Sequence, residues 1–227
     1  MEPVAQPITV NVKEAQNVSA LLQAPANAQA CYVFAHGAGA GMHHAFMASA
    51  AQGLAERGIA TLRYQFPAME RGSKRPDTPP VAHATVRAAV AEAARRLPGL
   101  ALFAGGKSFG GRMTSQAQAA APLQGVRGIV FFGFPLHPAG TPSLQRAQHL
   151  ADVRCPMLFL QGTRDTLADA ALIGSVHDRL GALSSLLMLD DADHSFHVPA
   201  RSGRNDSEVL GSMLDTVAGW ITRICAA

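Results

Sequence analysis

The chain has 227 residues, 48% of them hydrophobic and 15% charged, enough to bury one core, so a single domain over residues 1–227 is expected. Nineteen Lys and Arg against 16 Asp and Glu leave a formal net charge of +3, too small a surplus to draw the protein onto nucleic acid. No apolar run reaches the length of a membrane span, and the start, MEPVAQPITV, lacks the basic-then-apolar order of a secretion signal. Cys31, Cys155 and Cys225 form neither a disulfide framework nor a metal-ligand spacing, which points to a reducing compartment. A cytoplasmic protein, no cofactor and no bound metal are the expectations.

In chain order, ITVNVKEAQNVSALLQAP alternates apolar and polar residues around a polar turn and predicts an antiparallel hairpin. CYVFAHGAGAG is a continuous apolar run ending in glycines, as a strand buried on both faces requires. From about His43 to Arg57, the residues Phe46, Met47, Ala50 and Leu54 recur at helical spacing, and Gly58 supplies the stop. A strand over 59–66, a proline- and charge-rich loop over 67–80, a helix over 81–97 and a strand over 100–106 follow. A helix then runs from Ser108 through an alanine run to Pro122. A strand over 126–134 leads into a long loop, then a strand over 157–161, a helix over 167–180, a strand over 184–189 and a helix over 206–221. Strands alternating with helices call for parallel pairing through crossovers, hence a mostly parallel twisted sheet with helices on both faces.

The turn after the strand over 100–106 carries Gly106-Lys107-Ser108-Phe109-Gly110, a G-x-S-x-G match. The pattern alone is common, but here a buried strand precedes it and an amphipathic helix follows. A sharp strand-to-helix turn, a nucleophile elbow, forces the serine into strained backbone and lifts its hydroxyl above the sheet. The helix N-terminus aims free N–H groups at the same place. A helix-capping serine is the competing reading. Gly106-Lys107-Ser108 also matches the end of a phosphate-binding loop, but that loop's first glycine falls on Ala101 inside the strand, so this reading fails.

Two later strands deliver chemically matched partners. CPMLFLQGTRD brings Asp165 just past its carboxyl end, and SLLMLDDADHSF does the same for His194. Reactive groups gather at the carboxyl ends of parallel strands, so all three residues point to one sheet edge. A serine hydroxyl becomes a useful nucleophile when an imidazole takes its proton, and an aspartate orients that imidazole. Asp165 as a helix cap and His194 as a surface histidine are the plainer alternatives. His36 and His197 compete as bases, Asp169 and Asp193 as acids.

HGAGAG, from His36 to Gly41, follows the early buried strand, and its glycines let main-chain N–H groups face the space over Ser108. Phe109 and either Ala38 or Gly39 are the expected backbone donors of an oxyanion hole, such donors being typically worth several kcal/mol. The loop FPAMERGSKRPDTPP carries Glu70, Arg71, Lys74 and Arg75; it is either a cationic substrate rim or a solvated, internally paired loop. His36, Arg71, Arg75 and His137 are the candidate rim residues, whereas Arg112 reads as structural. PLHPAGTPSLQRAQHLADVRC has room for one short helix, so no large lid is expected.

The chain resembles small α/β-hydrolases of the dienelactone-hydrolase-like kind. More closely it resembles a subgroup that includes a testis-expressed hydrolase-like protein and the hydrolase-like region of an NSL histone-acetyltransferase complex subunit. The resemblance rests on HGAGAGMHHAFM, RYQFPAMERGSKRPD, GGKSFGGRMTS, FFGFPLHPAGTP, LFLQGTRD and DADHSF. It implies the α/β-hydrolase fold with its N-terminal antiparallel hairpin, and a triad at Ser108, Asp165 and His194. Dienelactone hydrolases carry a cysteine as nucleophile where this chain has Ser108.

The expected activity is therefore a serine hydrolase of the carboxylesterase or thioesterase type, acting on a small soluble ester or thioester through an acyl-enzyme. It would work as a monomer or homodimer without nucleic-acid or membrane partners. The alternative is a non-catalytic interaction or scaffold protein that retains the fold.

Overall fold

A computed structural model describes residues 3–12, 16–73 and 75–226. The turn of the expected hairpin, over 13–15, lies outside the described residues. On either side of it, β1 (Gln6–Val10) and β2 (Val18–Gln23) pair antiparallel, Val10 opposite Val18 and Gln6 opposite Leu22. The remaining strands are β3 (Ala30–Ala35), β4 (Ile59–Tyr64), β5 (Ala101–Lys107), β6 (Val126–Phe132), β7 (Met157–Gly162) and β8 (Ser184–Leu189). They form one eight-stranded sheet in the order β1-β2-β4-β3-β5-β6-β7-β8. From β4 onward every pair is parallel. This is the α/β-hydrolase fold.

Every residue of β3, β4 and β7 is buried, the pattern of strands covered on both faces. Helices α1 (Ala45–Glu56) and α6 (Asp206–Ala226) cover one face, packing Met47, Ala50 and Leu54 with Val209, Met213, Val217 and Trp220. The opposite face is covered by α3 (Pro79–Arg96), α4 (Phe109–Ala120) and α5 (Ala170–Leu180), through Val86, Ala89, Met113, Ala117, Ile173 and Val176. Small alanines let α3 and α4 lie close to the strands, and each large side chain buried beside them contributes about 1.5–3 kcal/mol. Gly128 in β6 makes room for the Trp220 indole, since a Cβ there would stand 2.5 Å from the ring.

Several boundaries differ from the sequence reading. The 67–80 loop contains a one-turn helix, α2 (Pro67–Glu70), and α3 starts at Pro79, where proline's fixed φ suits a first helical position. Helix α5 begins only at Ala170 because Asp169 caps it, its Oδ1 accepting from the Ala171 and Leu172 amides. The long loop after β6 holds a 3₁₀ segment, Gln145–Asp152, and no large lid. Helix α6 runs on to Ala226, one turn past the expected end. Among the described residues, no helix is long and apolar enough to cross a membrane.

Candidate active site

Ser108 follows β5 directly, with φ 49° and ψ −114°, a conformation that non-glycine residues avoid. The turn is tight because its glycines let the main chains touch. A Cβ on Gly106 would lie 2.3 Å from the Ala35 carbonyl oxygen, and one on Gly110 would lie 2.6 Å from those of Ala35 and His36. Ser108 occupies the capping position of α4 but makes no side-chain cap bond. Its hydroxyl instead meets His194 Nε2 at 2.8 Å.

His194 stands in the loop after β8, and its Nδ1 is 2.6 Å from Asp165 Oδ2. A carboxylate can only accept, so Nδ1 carries the proton and Nε2 turns its lone pair toward Ser108. The Asp165 side chain is fully buried, while that of His194 is 22% exposed, so the carboxylate is shielded and the imidazole reachable. The same carboxylate accepts from Gln161 Nε2 at 2.5 Å and from the Leu167 amide at 2.8 Å. Gln161 is held in turn by the Phe134 amide, which donates to its Oε1 at 2.9 Å. A polar residue inside the otherwise apolar run MLFLQG was the signal for it.

The rival acids and bases have other partners. Asp193 Oδ1 accepts from the Ser195 and His197 amides, shaping the loop that carries His194. Exposed His197 pairs with Asp206 at 2.9 Å, and that hydrogen bond raises its pKa.

The HGAGAG turn lies against Ser108: a Cβ on Gly37 would stand 3.8 Å from that of Ser108. Ala38, Gly39 and Phe109 line one small hollow with His36, Phe66 and Arg75, with room for about one water molecule. Among the described residues, the amides of Ala38, Gly39 and Phe109 have no protein acceptor. Larger surface hollows lie away from Ser108, for instance one beside Gln6, Leu22 and Gln52.

Two of the candidate rim residues, His36 and His137, give their ring nitrogens to main-chain partners. His36 sets its Nδ1 2.8 Å from the Gly37 carbonyl and accepts the Phe66 amide on Nε2 at 3.0 Å. Burial lowers its pKa, so it stays neutral and braces the glycine turn. His137 likewise has the Pro138 carbonyl on Nδ1 and the Asp169 amide on Nε2. Neither ring has a polar atom left for a ligand.

Arg71 reaches Gln16 at 3.2 Å and the buried Asp77 at 3.5 Å. Glu70 accepts from the amide and hydroxyl of Ser19, at 3.0 and 2.7 Å, so this part of the loop is pinned to the sheet. Lys74 lies outside the described residues. Arg75 is exposed and is a cation beside the hollow. Arg112 is half-buried with its Nε unpartnered, and burial lowers its pKa, with Arg146 adding to the effect.

Lys107 was read only as an unassigned position of the G-x-S-x-G match and as part of the rejected phosphate loop. Its ammonium donates to the His194 carbonyl and sits 4.8 Å from the centroid of the Phe196 ring. Among the described residues, no three His, Cys, Asp or Glu side chains converge as a metal site requires.

Comparison with known structures finds the same fold in other proteins. Dienelactone hydrolase from Anabaena variabilis ATCC 29413 is similar with a TM-score of 0.79 and 21% sequence identity, over 98% of this chain and 99% of that one. A serine hydrolase without a lid from Xanthomonas campestris matches at TM-score 0.75 and 21% identity, over 95% and 94% of the two chains. The esterase domain of a Rhodothermus marinus protein matches at TM-score 0.74 and 17% identity, over 97% and 98%. Residues 28–222 match the family described as alpha/beta hydrolase domain, and the chain therefore belongs to the α/β-hydrolases.

Proposed function

We propose that this chain is a serine hydrolase that cleaves a small ester or thioester through an acyl-enzyme, in one catalytic domain and without a cofactor. The observation that carries the reading is the unbroken hydrogen-bond chain from Asp165 through His194 to Ser108, at 2.6 and 2.8 Å. His194 Nε2 takes the Ser108 proton as the oxygen attacks the substrate carbonyl, a base contribution of about 10²–10⁴-fold. Asp165 holds the tautomer and stabilises the imidazolium that forms.

The developing oxyanion is received by the Phe109 amide and that of Ala38 or Gly39, each such donor being worth roughly 10²–10³-fold in rate. His194 then returns the proton to the departing alkoxide or thiolate. A water molecule, deprotonated by the same nitrogen, attacks the acyl-enzyme and frees Ser108. The absence of a large lid leaves Ser108 open to small, soluble substrates. The esterase and serine-hydrolase neighbours support the reaction class, and the motif likeness to the testis-expressed and NSL-complex proteins belongs to the same reading. A cytoplasmic location fits three free cysteines, two of them buried.

Treatment with a fluorophosphonate probe, followed by mass spectrometry of the labelled peptide, tests this directly. Modification at Ser108, abolished in both Ser108→Ala and His194→Ala, is the expected result. A folded wild-type protein that takes no label would overturn it in favour of a scaffold that retains the fold.

A further inference from the structure

Lys107 ends β5 and immediately precedes the nucleophile, yet its side chain engages the loop that carries the base. Its ammonium donates to the main-chain carbonyl of His194. It sits 4.8 Å from the Phe196 ring centroid and 5.9 Å from that of Phe46, two rings stacked on each other at 5.7 Å. Phe196 reaches this place in a left-handed backbone conformation, φ 66°, which a phenylalanine rarely adopts.

Beneath the ammonium is Gly133, with φ 72°. A Cβ there would stand 3.1 Å from Lys107 Nζ and 3.5 Å from Nδ1 and Cε1 of His194. Ammonium and imidazole thus share the space above one glycine.

We propose that Lys107 is a positioning residue for His194, its ammonium tying the base-bearing loop to the nucleophile turn so that Nε2 stays within hydrogen-bond reach of Ser108. The inference rests on the serine-hydrolase reading. Packing alone gives no reason for a cation here, because an apolar chain of similar length fills such a place at least as favourably. A charged donor, by contrast, binds a carbonyl about twice as strongly as a neutral one, and the aromatic faces favour the cation.

The tie is sensitive to protonation. Burial lowers the Lys107 pKa to about 8, against the opposing pull of Asp165 and Asp193. Those two carboxylates and His194 are the titratable groups that face it; α1 contributes the Phe46 ring and β6 the Gly133 main chain. Above that pH the amine is neutral and its hold on the His194 carbonyl weakens. Arginine at the same place would keep its charge throughout.

The test is the rate of fluorophosphonate labelling between pH 6 and 10 for wild type, Lys107→Arg and Lys107→Met, with Ser108→Ala as blank and melting temperatures recorded alongside. The expected wild-type rate falls on the alkaline side with a midpoint near 8. Lys107→Arg should label at neutral pH and lose that fall. Lys107→Met should label at least tenfold more slowly at pH 7 while remaining folded.

Wild-type rates and pH profile in a folded Lys107→Met would overturn the proposal. Should that variant not fold, the Arg variant decides, since an unchanged alkaline fall in it also overturns the proposal. An unlabelled, folded wild type would instead bring down the hydrolase reading, and this inference with it.

Discussion

Asp165 illustrates how much a single carboxylate is asked to hold. Oδ2 receives both His194 Nδ1 and Gln161 Nε2, and Oδ1 receives the Leu167 amide, so both oxygens act as acceptors and neither can be replaced by a donor without conflict. In Asp165→Asn the new NH₂ must face one of those donors, and it either releases the imidazole or drives it into the wrong tautomer. We expect kcat on a short p-nitrophenyl ester to fall on the order of 10⁴-fold with only a modest change in melting temperature. Retention of more than a tenth of wild-type kcat would remove Asp165 from the orienting role. The residue types at Ser108, Asp165 and His194 were legible because each sits just past a strand end. That the ring nitrogens of His36 and His137 meet main-chain partners was not legible, because those partners lie on segments distant in sequence, Phe66 for one and Asp169 for the other.

The turn between β5 and α4 works through close contact with β3 and the glycine turn that follows it. Gly110→Ala would press its methyl group against the Ala35 and His36 carbonyls, 2.6 Å away. The expected cost is about 1–3 kcal/mol in urea denaturation, with a loss of activity as the oxyanion turn is displaced. Gly174 in α5 is the control, because a Cβ there meets nothing within 4 Å. Gly174→Ala should stabilise by about 0.4–1 kcal/mol and leave activity unchanged. Equal stability of both variants with wild type would argue against the tight turn. At this scale the strands were read almost to the residue, since an apolar run of fixed length between breakers has few alternatives. The 3₁₀ segment over Gln145–Asp152 was anticipated only as a short helix, because its fold depends on packing against α4, where Ser115 meets His149 at 2.8 Å.

Across the whole molecule, stability follows the protonation of histidines that folding has made hard to charge. Burial lowers the His149 pKa from 6.5 to about 4, aided by the nearby Arg112, and lowers that of His36 as well. Below pH 6.5 the unfolded chain takes up protons that these folded histidines refuse, so their contribution is full above that pH and falls from there toward about pH 4. Melting temperature measured across this window should decline, and the decline should be shallower in His149→Gln. An identical slope in the two proteins would exclude His149 from the effect.

Alternating periodicity, the order serine, acid, histidine and the glycines around Ser108 were enough to specify a doubly wound sheet and one reactive edge, because these depend on local spacing and on which ends of parallel strands come together. Which histidines become braces and where the Lys107 ammonium binds were decided by tertiary packing alone. Those outcomes turn on a few ångströms between loops that lie dozens of residues apart in the chain, and no local pattern encodes such distances.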